Sequence, residues 1–225
     1  MVHLLEVDSI ILEFGTTRVL QDIYLKNETG KITGILGRNG SGKSCLMKII
    51  YGELETNDKS IRIDGQALLN GFRDYFLIRY LPQFHFIPKH LKIKRIFNDF
   101  ELDFSQFITY FPDFERYYKV NLNKLSGGEL RIVEVYSILA SKTKFCMLDE
   151  PFTHIMPVHI ETLKRILISE KKNKGILITD HLYEHITDIS DSLYVIANGK
   201  TYLTRDLNEL KTLGYIKNNR NPEKS

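Results

Sequence analysis

Apolar residues follow two alternating patterns along most of the chain. Short, nearly continuous apolar runs are typical of strands that a parallel sheet buries on both faces. Longer stretches with apolar residues three or four positions apart are typical of amphipathic helices. The runs are 32–36, 145–148 and 175–179, and the helical stretches are 46–51, 129–141 and 158–170. Strands that alternate with helices in this way predict an α/β domain with a mainly parallel sheet.

The two ends of this pattern predict antiparallel strands. Residues 2–14 and 61–65 alternate apolar and polar positions in places, which is typical of strands with one exposed face. Near the other end, Asn198-Gly199 separates two apolar segments, and this dipeptide favours a two-residue hairpin turn. We expect the polar residues 217–225 to be frayed.

Aromatic residues recur at helical spacing between 92 and 118. The seam consists of Phe97, Phe100, Phe104, Phe107, Phe111, Phe114 and Tyr118. Pro112 must interrupt a single helix, so the pattern predicts several short helices. We interpret most of the seam as the core of a small helical insertion. Tyr110 and Tyr117 lie off the seam, and we expect them to stay exposed as a docking surface for a partner.

Composition excludes several classes of protein. Lys and Arg number 31 against 28 Asp and Glu, and this small excess makes a nucleic-acid partner unlikely. Cys45 and Cys146 are the only cysteines, which is typical of a reducing compartment rather than of a disulfide scaffold. No apolar stretch approaches the roughly 18 residues of a membrane span, and the first ten residues do not resemble a signal peptide. We therefore expect an intracellular, cytoplasmic protein.

Residues 37–44, GRNGSGKS, form a motif that predicts phosphate binding. They match G-x-x-x-x-G-K-[ST] at every fixed position and lie between a predicted strand and a predicted helix. Backbone N–H groups of such a loop face phosphate oxygens, and the helix dipole adds positive charge. We expect Lys43 to bridge the β- and γ-phosphates and Ser44 to bind Mg²⁺. The expected nucleotide contacts are Gly37, Arg38, Asn39, Gly40, Ser41, Gly42, Lys43, Ser44 and Cys45. The alternative is a glycine-rich turn that binds no nucleotide.

Further along the chain, four polar features each have an ordinary alternative. Residues 125–129, LSGGE, place a hydroxyl and free N–H groups at a helix N-terminus, which is an anion site or simply a cap. Asp149 and Glu150 end a predicted buried strand, where open α/β sheets bind ligands or where acids cap a turn. Gln83 after a proline and His181 after a strand are weak signals when taken alone.

In order and spacing these features resemble the nucleotide-binding domain of the ATP-binding-cassette (ABC) ATPases over essentially the whole chain, 1–225. The resemblance implies a P-loop NTPase (RecA-like) fold with an N-terminal antiparallel β subdomain and a helical subdomain insertion at about 84–140. It implies that Asp149 and Gln83 bind Mg²⁺ with Ser44. The remaining implied roles are adenine stacking by Phe14, catalysis by Glu150, His181 and Gln83, and binding of a γ-phosphate across a dimer by Ser126, Gly127 and Gly128.

The resemblance also implies a function. It predicts an ATP-hydrolysing subunit that binds ATP and Mg²⁺ and closes as a homodimer or pseudo-dimer of cassettes. The energy of closure would drive a separate transmembrane permease, with this subunit peripheral at the cytoplasmic face of the membrane. One alternative is a soluble ABC-family ATPase that acts on ribosomes or DNA. Another is a regulatory module without hydrolysis, which Glu150 and His181 argue against.

Three residues depart from the family pattern. Met156 stands where the family has an Asp in the D-loop, the segment after Glu150 that crosses the dimer interface. Because a thioether cannot accept a charge-assisted hydrogen bond, we expect an apolar D-loop contact across the dimer. Cys45 replaces a Thr, which removes a hydroxyl from the α-phosphate and predicts weaker ATP binding. Glu129 replaces a Gln and suits the helix dipole.

Overall fold

The computed structural model describes residues 2–68 and 76–204. In chain order the strands are β1 (Leu4–Phe14), β2 (Thr17–Glu28), β3 (Ile32–Gly37), β4 (Asp58–Ile63), β5 (Gln66–Ala67), β6 (Ile78–Leu81), β7 (Phe145–Asp149), β8 (Gly175–Thr179), β9 (Ser192–Ala197) and β10 (Lys200–Thr204). The helices are α1 (Lys43–Tyr51), α2 (Ile93–Asp99), α3 (Phe104–Tyr110), α4 (Gly127–Leu139), α5 (Pro157–Glu170) and α6 (Tyr183–Ile189). The predicted frayed end, 217–225, lies outside the described residues.

A six-stranded sheet of order β10-β9-β3-β8-β7-β6 carries the site. Its strands are parallel except β10, which pairs antiparallel with β9. The hairpin turns at Asn198 and Gly199, both with positive φ, as the sequence predicted. β3, β7 and β8 are buried at every position, because alternate side chains enter hydrophobic cores on opposite faces of the sheet. The predicted α/β fold is confirmed.

The second sheet is antiparallel, with the order β2-β1-β4-β5. The N-terminal antiparallel strands are thereby confirmed, but most of β2 escaped sequence analysis. The pairing of β1 with β2 shifts register at three places, and Ser9 and Asp22 adopt positive φ there. Each bulge moves the following side chains out of strict alternation, so the apolar pattern of these strands is interrupted.

Short helices between β6 and β7 bury the aromatic seam. Phe97, Phe107, Phe111 and Phe114 are almost fully buried, and Tyr136 of α4 stacks on Phe97 with 5.9 Å between ring centroids. The seam is therefore core, as predicted. No helix within 2–68 and 76–204 is long and apolar enough to cross a membrane.

The expectation that Tyr110 and Tyr117 stay exposed is wrong. Both rings are half-buried against the aromatic core. Tyr110 lies 6.5 Å from Tyr136 between ring centroids, and the Arg116 guanidinium covers the Tyr117 ring at 4.7 Å. The chain leaves α3 before Pro112 and continues as a 3₁₀ segment, Pro112–Tyr117. That change of pitch rotates later side chains, so one helical wheel cannot describe the whole segment.

Candidate active site

The phosphate loop connects the end of β3 to the start of α1. Gly40 and Gly42 adopt positive φ (80° and 97°), a conformation that glycine enters without strain. The Lys43 Nζ donates to the carbonyl oxygens of Gly37 at 2.8 Å and of Arg38 at 3.3 Å, so the ammonium lies across the loop. Burial lowers the pKa of Lys43, against the attraction of nearby carboxylates. An incoming polyphosphate would therefore find a desolvated cation already in the loop.

Asp149 lies buried at the end of β7 beside three hydroxyl groups. Tyr80 Oη donates to its Oδ2 at 3.2 Å, Thr179 Oγ1 lies 3.4 Å from Oδ1, and Ser44 also hydrogen-bonds to the carboxylate. Burial raises the pKa of Asp149, and these hydrogen bonds oppose the rise. A carboxylate beside a serine hydroxyl suits Mg²⁺, which takes its remaining ligands from water and phosphate. Accordingly, the described residues include no cluster of three or more His, Cys, Asp or Glu that could hold a metal alone.

Glu150 brings together the residues expected to act on the attacking water. Its Oε2 accepts from Gln83 Nε2 at 2.9 Å and lies 3.4 Å from Thr153 Oγ1 and 3.7 Å from His181 Nδ1. The backbone at Glu150 has a positive φ of 50°, which is uncommon for a residue with a side chain and recurs at functional sites.

Most of the expected site residues line one cleft of about 620 Å³. Its lining consists of Phe14, Val19, Asn39, Gly40, Ser41, Gly42, Lys43, Ser44, Cys45, Gln83, Glu150 and His181. The Phe14 ring, 54% exposed, is therefore available to stack on a flat base. Gly37 and Arg38 contribute the carbonyls beneath Lys43. The structure does not place Ser126, Gly127 and Gly128 in this cleft.

The signature, Ser126 to Glu129, begins α4 with a reciprocal cap. Ser126 Oγ accepts from the Glu129 amide at 3.2 Å, and Glu129 Oε2 accepts from the Ser126 amide at 2.8 Å. The amides of Gly127 and Gly128 lie in the first turn and have no acceptor within the helix. A Cβ at Gly128 would come within 3.0 Å of the His154 carbonyl oxygen, so the signature packs directly on the D-loop.

Sequence analysis missed two buried charges in the next turns of α4. Arg131 donates to the carbonyls of Pro82 at 2.8 Å, Asp149 at 2.7 Å and Glu150 at 3.0 Å. Burial lowers the pKa of Arg131, and the charge of Glu134 opposes that effect. Charged residues on the apolar face of a helix were the available signal, because such groups are rarely buried without partners.

Asp180 is a further buried carboxylate that sequence analysis missed. It accepts from the amides of Phe152 at 3.1 Å and Leu182 at 2.9 Å, and its Oδ1 lies 3.3 Å from His181 Nδ1. Burial raises the pKa of Asp180, and these two amides oppose the rise. Asp180 therefore connects the segment after Glu150 to the segment that carries His181.

A glycine-rich phosphate loop, a buried Asp at a strand end, and Glu, Gln and His around one cleft define a P-loop nucleoside triphosphatase. The family model described as "ABC transporter" matches residues 20–153, more than half of the chain. The chain belongs to this family, as an ATP-binding and ATP-hydrolysing subunit, which confirms the predicted family, activity and ATP as ligand.

Curated relatives agree with this assignment, and a solved structure shares the fold. The lipopolysaccharide export system ATP-binding protein LptB of Haemophilus influenzae is 30% identical in an alignment that covers 89% of this chain and 90% of LptB. The galactose/methyl galactoside import ATP-binding protein MglA of Fusobacterium nucleatum is 28% identical over 93% of this chain, which spans only 45% of MglA. An ABC transporter ATP-binding subunit of known structure shares the fold, with a TM-score of 0.77, 22% identity and 94% coverage of each chain.

Proposed function

We propose that two cassettes close head to tail on two MgATP and thereby drive a separate membrane-spanning permease. The observation that carries this proposal is the divided site. The cleft holds the phosphate loop, Gln83, Glu150 and His181, whereas the signature lies elsewhere on the same chain. A second cassette would supply the missing half, and ATP would favour closure because it contacts both halves only in the dimer.

Within the cleft, Lys43 contacts the β- and γ-phosphates and Phe14 stacks on adenine. Ser44, Asp149 and Gln83 hold Mg²⁺, which would neutralise charge on the phosphates. Glu150 orients the attacking water and accepts its proton, because its carboxylate opens into the cleft beside Gln83. His181 lies 3.7 Å from Glu150 and contacts the γ-phosphate.

The D-loop supplies an apolar contact to the second cassette. Met156 is 60% exposed and Val158 is 67% exposed, next to the segment on which the signature packs. Met156 also occupies the N-cap position of α5 and makes no side-chain cap there. Burial of these two side chains at the dimer interface would offset the missing cap.

The permease contact lies at the segment that follows Gln83. Phe84 is 62% exposed there and partly shielded by the Lys48 ammonium, 5.7 Å from its ring centroid. This location replaces the surface expected around Tyr110 and Tyr117. The name of LptB describes export and that of MglA describes import. The cassette would then be peripheral at the cytoplasmic face of the membrane.

Mixing two inactive variants tests the divided site. Lys43→Ala removes the phosphate-loop cation, and Ser126→Arg blocks the signature. Neither variant alone is expected to hydrolyse ATP. In a mixed dimer one site combines an intact phosphate loop with an intact signature, so ATPase activity should reappear and rise with the amount of the second variant. Mixtures that stay inactive, although ATP still pairs the two variants on a sizing column, would contradict the proposed arrangement.

A further inference from the structure

His85 belongs to the segment after Gln83, and its ring lies beside the signature helix α4. Its Nδ1 is 2.8 Å from Glu134 Oε2, and its Nε2 is 3.9 Å from the position that a Cβ on Gly127 would occupy. The side chain is 32% exposed. One imidazole therefore contacts a buried carboxylate with one nitrogen and approaches the phosphate-facing turn of the signature with the other.

Glu134 determines which nitrogen of His85 is available. Glu134 is fully buried, and its Oε1 accepts from the amides of Phe86 at 2.9 Å and Ile87 at 3.2 Å. Arg131 Nη1 is 3.7 Å from the other oxygen, Oε2. A carboxylate at 2.8 Å requires a hydrogen on Nδ1, which leaves Nε2 at the signature. Within 2–68 and 76–204, Nε2 makes no hydrogen bond.

We propose that His85 is a binding residue for the γ-phosphate that the signature receives from the second cassette, and that Glu134 is its positioning residue. This inference rests on the proposed dimer. The doubly protonated ring would place one N–H on each of two anions, the Glu134 carboxylate and the phosphate. Both contacts are charge-assisted, which makes them stronger than neutral hydrogen bonds.

Through the same contacts, binding of the second cassette's γ-phosphate at the signature would affect the chain's own cleft. Gln83 lies two residues before His85, and Glu134 holds the backbone immediately after it. A phosphate bound by the His85 ring and the signature together would therefore move, along with α4, the segment whose Gln83 amide bonds to Glu150. Each site of the dimer would respond to the nucleotide of the other.

Two isosteric variants separate binding of phosphate from simple structural support. The amide nitrogen of Asn occupies the position of Nδ1, and that of Gln occupies the position of Nε2. His85→Asn keeps the bond to Glu134 but loses the donor at the signature, whereas His85→Gln keeps a donor there. The readout is the ATP concentration for half-maximal dimerisation, measured in a Glu150→Gln background that prevents turnover.

We expect His85→Asn to raise the ATP concentration for half-maximal dimerisation about tenfold or more. This is the loss in affinity expected when a hydrogen bond to a charged group is removed. His85→Gln should recover most of the loss. Glu134→Gln should also raise the concentration, and its effect should not add to that of His85→Asn, because both act through one ring. His90→Asn, at an exposed histidine of the same segment, is the matched control and should change nothing.

Other outcomes would overturn the inference. An unchanged dimerisation midpoint in His85→Asn, or equal losses in the Asn and Gln variants, would mean that Nε2 does not bind phosphate. Binding of a fluorescent ATP analogue to the monomer tests the phosphate loop separately and should not change in any His85 variant. Ser126→Arg distinguishes the two proposals: if it also dimerises normally with ATP, the divided site itself is wrong.

Discussion

Gly127 and Gly128 are adjacent glycines in the first turn of α4. Replacing each by alanine should nevertheless change the stability of the protein in opposite directions. Alanine in place of a helical glycine stabilises by up to about 1 kcal/mol. At Gly127 the nearest atom to a new Cβ is His85 Nε2 at 3.9 Å, so that gain is realised. At Gly128 the new Cβ would come within 3.0 Å of the backbone carbonyl oxygen of His154.

The His154 carbonyl cannot move away cheaply. His154 has a positive φ of 63°, and the next amide, of Ile155, donates to the Phe152 carbonyl at 3.2 Å. Overpacking of this kind costs about 1–3 kcal/mol. Because the helix-propensity gain is common to both variants, Gly128→Ala should be less stable than Gly127→Ala by about the same 1–3 kcal/mol.

Urea unfolding of the nucleotide-free variants, followed by circular dichroism, measures this difference. The slopes of free energy against urea should agree, so that the midpoints report stability alone. Gly127→Ala should unfold at or above the wild-type midpoint, and Gly128→Ala below it. If Gly128→Ala proves as stable as Gly127→Ala, the signature does not pack on the His154 carbonyl as the structure has it.

Three further substitutions test other parts of the site. Glu150→Gln should lower the rate of ATP hydrolysis at least 100-fold, the usual worth of a general base, while equilibrium binding of ATP is retained; comparable turnover would remove Glu150 from its role. Met156→Asp should supply the missing N-cap of α5 and raise the free energy of unfolding by about 1 kcal/mol. That gain corresponds to a rise in Tm of roughly 2–4 °C in a thermal melt, and Met156→Leu is the control that should not change it. Lys43→Met tests the lowered pKa of Lys43. Between the lowered pKa of the folded lysine and its ordinary pKa of 10.5, the unfolded lysine binds more protons than the folded one. The stability of the wild type relative to Lys43→Met should therefore rise as the pH approaches 10.5. A difference that stays flat or falls with pH would show that Lys43 is not desolvated.

Local sequence was sufficient where neighbours along the chain determine the geometry. The phosphate loop needs only a strand, glycines at two positions with positive φ and a helix, and all of these are contiguous. Asp149 ends a strand whose other residues are all apolar, and Glu150 follows it directly, so their place at the sheet edge was predictable. The resemblance, and not any spacing along the chain, implied that His181 acts in the same site as Glu150. The structure has the two side chains 3.7 Å apart.

Burial of charge could not be predicted in the same way. Arg131 and Glu134 stand among the apolar positions of α4, but nothing local identifies the groups that would neutralise two buried charges there. Their partners are backbone groups of distant segments, which only the folded chain brings close. Exposure was wrongly expected at two tyrosines. Tyr117 lies beyond Pro112, where the helical period of α3 no longer holds, and Tyr110, still within α3, packs toward Tyr136 of α4.

Arg131 and Glu134 explain why α4 can couple the parts of the site. The segment after Pro82 and the end of β7 expose backbone carbonyls and amides in the interior, where each must find a partner. The Arg131 guanidinium satisfies three carbonyls at once, and the Glu134 carboxylate satisfies two amides. Because both belong to the helix that begins with the signature, a shift of the signature must either carry these backbone segments with it or leave buried charges unpaired. The second course is the more costly, so the signature, Gln83 and Glu150 are expected to move as one body.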